Sequence, residues 1–512
     1  MGIKNLTSRN MNKPSMKKFY LLLTLSSCIA AQLFAQNVEF QFREALPLGG
    51  SQVALIRQND LKFPNLIDLQ ILGKGGKELA HTELDLHTEG ARTKVESVFK
   101  WSNRLNLLLA HYYPAQRSTA YELVQLSIDS LKTVLVKPFG KVRTPPIPVY
   151  AFCGYSISPD SSKMMFFNWP IGPPQDSVNL LVQVFDQKME SLWSRKYVLG
   201  YANRNFLVLG CLMRNDGSAF IFGENYSEKF TSNTQVQEKN IDRLILLMSG
   251  KTSKIDLIKL ELGEYSLANL AYSMNRDGDM VASGFFRKSE TSEYKGIFTI
   301  KITAEANQTI QRLNMIDKKT FTTALNIGSE DKFLSRGQMD RTLFGYDLGK
   351  LFADPDGSYA LVAGRRDNTL VIDIRPDMAL HRIRVVPTPF SFAQQRAGDF
   401  AQGFLSGFYF RQGDKYFFIF VDPNNGATDD RGKKLRTDTP GRAFLVEMKE
   451  IGRLETRPFQ SKFAQRPNAI LATQHCRQIN AEEVFLLGTE TSAKGEILLV
   501  YIIEQIADVV KL

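Results

Sequence analysis

The sequence predicts an all-β fold built from repeated strand–turn–strand units, and two observations predict it. The first is a short turn that recurs four times: Ser158-Pro159-Asp160-Ser161, Asn215-Asp216-Gly217, Arg276-Asp277-Gly278 and Asp354-Pro355-Asp356-Gly357. The second is the run after each turn, which is nearly all apolar: Met164-Met165-Phe166-Phe167, Ala219-Phe220-Ile221-Phe222, Met280-Val281-Ala282 and Tyr359-Ala360-Leu361-Val362-Ala363. Asp accepts hydrogen bonds from main-chain N–H groups one or two residues on, Gly supplies a positive φ without steric cost, and Pro pre-sets φ where the turn begins. Together they link two antiparallel strands tightly. A strand that is apolar on both sides is buried on both sides, so sheet must stack on sheet.

A unit repeated at this size points to an array. The expected architecture is a β-propeller of four-stranded antiparallel blades, eight by count, or seven if the first and last segments share one blade. Its turns rest on Asp160, Asp216, Gly217, Asp277, Gly278, Asp356 and Gly357. These strand–turn–strand cores resemble the WD40-like (PD40, TolB-type) propeller repeats, in which apolar, Ser-Pro-Asp-Gly and apolar segments follow one another. The resemblance covers four units well and the others in outline. It implies a fold and no function.

The N-terminus carries an address. Lys17-Lys18 precede Phe19-Tyr20-Leu21-Leu22-Leu23-Thr24-Leu25, and small residues lead to Phe34-Ala35-Gln36. Basic, then apolar, then cleavable is the pattern of a secretory signal peptide, and its ending resembles export signals of Bacteroidota. Residues 1–35 are therefore expected to be a leader and signal, with Met16 as the true start. Residues 36–512 are expected to be one propeller domain, exported to the periplasm, the outer membrane or the medium. Leu25-Ser26-Ser27-Cys28 resembles a lipobox and offers a lipid anchor at Cys28 as the alternative. The apolar stretch before Cys28 is short, and Ile29-Ala30-Ala31 continues apolar, which favours cleavage after Ala35.

Composition narrows the partners. The chain is 43% apolar and 11% aromatic, ample for a large core. No run in its body is long enough to span a membrane as a helix. Of the formal charge of +11, five positive residues (Lys4, Arg9, Lys13, Lys17 and Lys18) precede the expected cleavage point and no acid does, which leaves +6. The remaining Lys and Arg are scattered among acids, the pattern of a solvated surface and not of a nucleic-acid partner. Cys153, Cys211 and Cys476 read as small apolar side chains where innermost strands converge.

In chain order, the first unit has strands near 38–42, 52–56 and 66–72, and the second near 98–101, 105–110, 121–128 and 134–136. The third has 152–157, 164–167, 180–185 and 192–198. The fourth spans 206–262 and the fifth 267–315, followed by an insertion at 316–345. The sixth carries 351–353, 370–374 and 381–385, the seventh 407–410, 416–420 and 444–446, and the eighth 470–474, 484–488 and 497–502. Segment 38–42 is expected to supply the outer strand of the eighth unit and close the ring, removing an exposed edge.

Catalytic signatures are weak. Five histidines exist, and His475 beside Cys476 makes no dyad because adjacent strand residues face opposite ways. Gly154-Tyr155-Ser156-Ile157-Ser158 lacks the closing glycine of a nucleophile elbow. Gly250-Lys251-Thr252 ends like a phosphate loop, with Ile245 where the first glycine belongs. No histidine pair has zinc spacing, and Asp422-Pro423-Asn424-Asn425-Gly426 lacks calcium-loop spacing. No catalytic residue, metal set or cofactor is therefore read. The long connections 168–178, 224–240 and 421–441 fall on one face, as binding loops do in repeat arrays. The expected function is an exported binding module for an envelope or extracellular protein or polysaccharide, with Tyr112, Tyr113, Trp169, Tyr226, Arg365 and Arg366 as contacts, since aromatics and Arg give the most binding energy per residue. The alternatives are a secreted hydrolase or lyase using acids on that face, and a structural envelope component.

Overall fold

The computed structural model describes most residues between 41 and 503; residues 1–40, 144–151, 170–175, 227–240, 321–345, 388–406, 422–442, 459–468 and 504–512 lie outside the description, with shorter breaks elsewhere. The expected signal peptide, Cys28, most of the 316–345 insertion and the 421–441 loop therefore fall outside it.

The regular structure is almost all strand, beside a 3-10 turn at Asn203–Asn205. Among the described residues the strands form eight antiparallel sheets. The first sheet holds β1 (Gln41–Gly49), β2 (Gln52–Gln58), β3 (Leu66–Leu72) and β4 (Glu78–Asp85). The second holds β5 (Arg92–Trp101), β6 (Arg104–Tyr113), β7 (Ser118–Ser127) and β8 (Thr133–Arg143). The third holds β9 (Phe152–Ile157), β10 (Lys163–Trp169), β11 (Ser177–Asp186) and β12 (Ser191–Ala202). The fourth holds β13 (Phe206–Met213), β14 (Ala219–Tyr226), β15 (Ile241–Met248) and β16 (Asp256–Ile258).

In the fifth sheet β17 (Tyr265–Leu267) and β18 (Ala271–Met274) both pair with β19 (Met280–Lys288), followed by β20 (Tyr294–Ile302) and β21 (Thr309–Met315). The sixth holds β22 (Asp347–Ala353), β23 (Tyr359–Gly364), β24 (Asn368–Ile374) and β25 (Leu380–Pro387). The seventh holds β26 (Gly407–Gln412), β27 (Lys415–Val421), β28 (Ala443–Met448) and β29 (Leu454–Pro458). In the eighth, β30 (Ala469–Leu471) and β31 (Arg477–Gln478) pair with one side of β32 (Val484–Ser492), and β33 (Gly495–Ile503) with the other.

The repeated turn behaves as its residues demand. The N–H of Gly217 donates to the Arg214 carbonyl (3.0 Å) and the Arg214 N–H to the Ser218 carbonyl (2.9 Å), with Gly217 at φ +85°. Gly278 and Gly357 repeat this at φ +85° and +82°. It is a three-residue hairpin with a left-handed third residue, the conformation glycine adopts most cheaply. Asp216 Oδ1 accepts from the Ser218 N–H (2.8 Å) and hydroxyl (2.6 Å), and Asp356 does the same for Ser358 (2.9 and 2.6 Å). Asp160 likewise accepts from the Ser162 N–H (3.0 Å). In the third copy the accepting side chain is Asn275, whose Oδ1 takes the Asp279 N–H (2.8 Å), so the role expected of Asp277 passes to its neighbour two residues earlier. The same turn recurs between third and fourth strands, where Asp186 and Pro376-Asp377 are present without the glycine. Met189 (φ +64°) and Met378 (φ +66°) take the left-handed position, and burial of their side chains offsets the strain.

The core is divided into slabs between consecutive sheets. Leu107 and Leu109 pack with Ile56 and Leu69 between the first and second sheets. Phe139 stacks on Phe166 at 4.2 Å between the second and third. Further slabs join third to fourth, fourth to fifth, fifth to sixth and sixth to seventh. Inner strands are therefore buried on both faces, as β10 and β23 are, while β4 alternates exposed and half-buried residues.

Hydrogen bonds also tie sheet to sheet at the left-handed turn residues. Trp101 Nε1 donates to the Ser161 carbonyl (3.0 Å), Trp193 Nε1 to the Gly217 carbonyl (3.2 Å) and Arg214 Nε to the Gly278 carbonyl (2.9 Å), each from the preceding sheet. Asn314 Nδ2 reaches the Met378 carbonyl (2.9 Å) in the same way.

The expected propeller is corrected. The sheets are separate antiparallel sheets, not curled or closed into a ring, and no ladder among the described residues joins the last to the first. The closure expected through 38–42 fails specifically: residues from Gln41 onward open β1, which pairs with β2 in the first sheet. The physical reason is locality. The Asp-Gly turn specifies the hairpin it sits in, and nothing in it specifies how a series of sheets ends.

Candidate functional site

Because the turns between first and second strands are bonded from sheet to sheet, the connections β6–β7, β10–β11 and β14–β15 all leave from the opposite end. Two polar groups stand there, near the ends of β6 and β14.

In the second sheet, register pairs Thr93 with His111 across β5 and β6. His111 Nδ1 lies 3.0 Å from Thr93 Oγ1 and Nε2 lies 2.9 Å from Glu122 Oε1. Thr93 is buried and its hydroxyl also donates to the Leu86 carbonyl (3.0 Å). This hydroxyl, imidazole and carboxylate line up as a nucleophile and base would. The hydroxyl is closed off from substrate, however, so the arrangement works as a packed polar clamp.

In the fourth sheet, Glu224 and Arg243 face each other across β14 and β15, 2.9 Å apart and each about one-tenth exposed. Arg243 also donates to the carbonyls of Leu267 and Ala268 in the fifth sheet, the latter at 2.5 Å. The Tyr226 hydroxyl donates to Glu224 (2.5 Å); burial, and then this bond, push the phenol up to about 12, so it stays a donor at all physiological pH.

The predicted contacts fare differently. Tyr112 and Tyr113 end β6 half-exposed, with Lys141 Nζ 4.5 Å from the centre of the Tyr113 ring. Tyr226 is half-exposed at the end of β14. Trp169 is corrected: it is only 3% exposed and lies edge-on to Phe206 at 5.7 Å. Alternation along β10 sends Met165, Phe167 and Trp169 to the same face, into the slab against the fourth sheet. Arg365 and Arg366 lie outside the described residues. Sequence reasoning missed Asn168, on the other face of β10, which is fully buried with neither amide atom hydrogen-bonded among the described residues. A lone Asn in an apolar run carries no signal of its own.

One further cluster comes from register alone. Asp68 pairs with Glu83 across β3 and β4, and His81 sits two residues before it, so three ligand-type atoms lie within 4.8 Å of one another. Asp68 is already held by His81 Nε2 (2.6 Å) and by Arg57 Nε (2.6 Å). The guanidinium supplies the positive charge a divalent cation would bring. Burial raises the Cys153 thiol well above its usual range and the Cys211 thiol to about 12.

No family model and no curated protein matches the chain, so the WD40-like family expected from the turns is not confirmed. Solved structures resemble it distantly. Prolyl oligopeptidase B from Galerina marginata is similar at 10% identity and a TM-score of 0.41, over 91% of this chain and 55% of that one. Dipeptidyl peptidase 4 from Porphyromonas gingivalis is similar at 10% and 0.43, over 92% and 59%, and polysaccharide lyase Uly1 at 9% and 0.38, over 74% and 86%. The chain thus spans little more than half the length of the two peptidase chains. What it shares with all three is a distant likeness, and the chain itself is an all-β assembly of antiparallel sheets with no helix among the described residues long and apolar enough to cross a membrane.

Proposed function

We propose that this chain is an exported binding protein that takes an envelope or extracellular protein or polysaccharide partner at the end of its sheets where β6–β7 and β14–β15 are connected. The observation that supports this reading is the set of half-exposed phenols there, Tyr112, Tyr113 and Tyr226, backed by buried polar pairs that hold the strand ends rigid. Tyrosine supplies large contact area at low entropic cost, and a rigid platform loses little on binding. The test is an array of envelope polysaccharides and cell-surface proteins probed with the full chain and with Tyr113→Ala and Tyr226→Phe. Binding weakened about tenfold in Tyr113→Ala, with unchanged melting, supports the reading. Binding indifferent to both, or turnover of the bound glycan or peptide, overturns it, the latter in favour of a hydrolase or lyase.

A further inference from the structure

The turn end of the molecule carries a groove that the proposed partner face does not use. It lies between the second and third sheets and has a volume of about 940 Å³, within the few hundred to ~1,000 Å³ typical of small-ligand sites. Three cations and, among the described residues, no acid line it: Arg104 from the start of β6, Lys188 from the β11–β12 turn, and Lys100 from the end of β5, whose ammonium donates to the Leu48 carbonyl of the first sheet. Arg104 and Lys188 have no side-chain hydrogen bond or ion pair among the described residues. Two acids near it in sequence are engaged elsewhere. Asp160 is bonded to Ser158 and Ser162, and Asp186 accepts from the N–H groups of Lys188 and Glu190.

A second observation is conformational. In the other three turns between first and second strands the left-handed position is Gly217, Gly278 or Gly357, and in two turns between third and fourth strands it is a buried Met; facing this groove it is the exposed Ser161, at φ +57°. Ser102 and Asn103, which form the β5–β6 turn, are both left-handed as well, at +50° and +55°. A side chain there costs about 1–2 kcal/mol that glycine avoids, and such strain collects at binding sites. In return the groove gains two hydroxyls and an amide. The Ser102 hydroxyl is buried without a partner.

We propose that this groove binds an anionic saccharide, with Arg104 and Lys188 meeting carboxylate or sulfate groups and Asn103 and Ser161 meeting ring hydroxyls. A lone inorganic anion would leave most of the volume empty. A peptide would seek an open strand edge for its main chain, whereas the groove runs across turns whose main-chain groups are already bonded to one another. The inference rests on these residues alone and stands or falls apart from the partner face.

The experiment titrates the full chain calorimetrically with tetragalacturonate and with a sulfated heparin tetrasaccharide. Cellotetraose, tetraglutamate and sodium sulfate serve as comparison ligands. At least one acidic tetrasaccharide is expected to bind ten times more tightly than any comparison ligand, with affinity falling as salt rises. Arg104→Gln with Lys188→Gln is expected to weaken it at least tenfold. Ser161→Gly relieves backbone strain, so it is expected to raise the melting temperature while weakening binding about threefold; this variant keeps the test sound should the double variant fold poorly. Equal binding of cellotetraose, tetraglutamate or sulfate, affinity unmoved by the variants, or no binding of either acidic tetrasaccharide overturns the proposal.

Discussion

The two ends of the sheets are joined by different chemistry. At the turn end, neighbouring sheets are stitched by neutral or cationic donors to the carbonyls of left-handed residues: Trp101 to Ser161, Trp193 to Gly217, Arg214 to Gly278. At the other end the fourth and fifth sheets are joined by an ion pair, Glu224–Arg243, whose guanidinium reaches the next sheet's carbonyls. The turn end needs only a backbone conformation, which short motifs specify repeatedly. The connection end needs matched charges, removed from water at a cost that only close pairing offsets. The turn end should therefore tolerate single changes better.

The largest expected effect comes from the connection end. Glu224→Leu removes the carboxylate paired with buried Arg243 and should cost about 3 kcal/mol in urea unfolding; a loss under about 1 kcal/mol would mean that the guanidinium's other contacts suffice. Next comes Arg214→Met. Its guanidinium donates to Gly278, Ile302 and Thr303 carbonyls and to Asn307, bridging two sheets. Packing over Phe220 is partly kept by the methionine, so about 2–3 kcal/mol is expected. Gly217→Val forces a β-branched residue to φ +85° and should cost about 1–2 kcal/mol.

The smallest effect is a pH dependence. Bonds from the Ser358 hydroxyl and N–H hold the Asp356 carboxyl below the usual carboxylate range. A depressed folded value means that the stabilisation is present above the unfolded value of about 3.9 and is lost as the pH falls through the lower folded one. Asp356→Asn should flatten that part of the acid limb when unfolding midpoints are followed from about pH 6 to about pH 2. An unchanged limb would show that the turn holds without the carboxylate's charge.

Much of the strand layout is legible in the sequence. The strand expected at 152–157 is β9, and the apolar runs after the turns are the doubly buried strands β10, β14, β19 and β23. What misled is as instructive. Trp169 was expected at a loop surface because aromatics at strand ends often serve binding, yet alternation along β10 turns it into a core slab. Met189 and Met378 occupy turn positions where glycine is the expected residue, and burial of their side chains offsets the strain while Asp186 and Asp377 supply the local hydrogen bonds. The ring expected from the repetition was an inference about ends, and repetition carries no information about ends.

By itself, the sequence determined what a few adjacent residues decide: where strands run, where they turn, and which are apolar on both faces. Hairpin geometry is set by φ preferences and by side chains bonding two residues away, so it is written locally. The tertiary structure alone decided which carbonyl meets Trp101, since Ser161 stands 60 residues away. It alone gathered Lys100, Arg104, Ser161 and Lys188 from three separate turns into one groove. Charges that far apart in the chain acquire a shared field only when packing brings their sheets together.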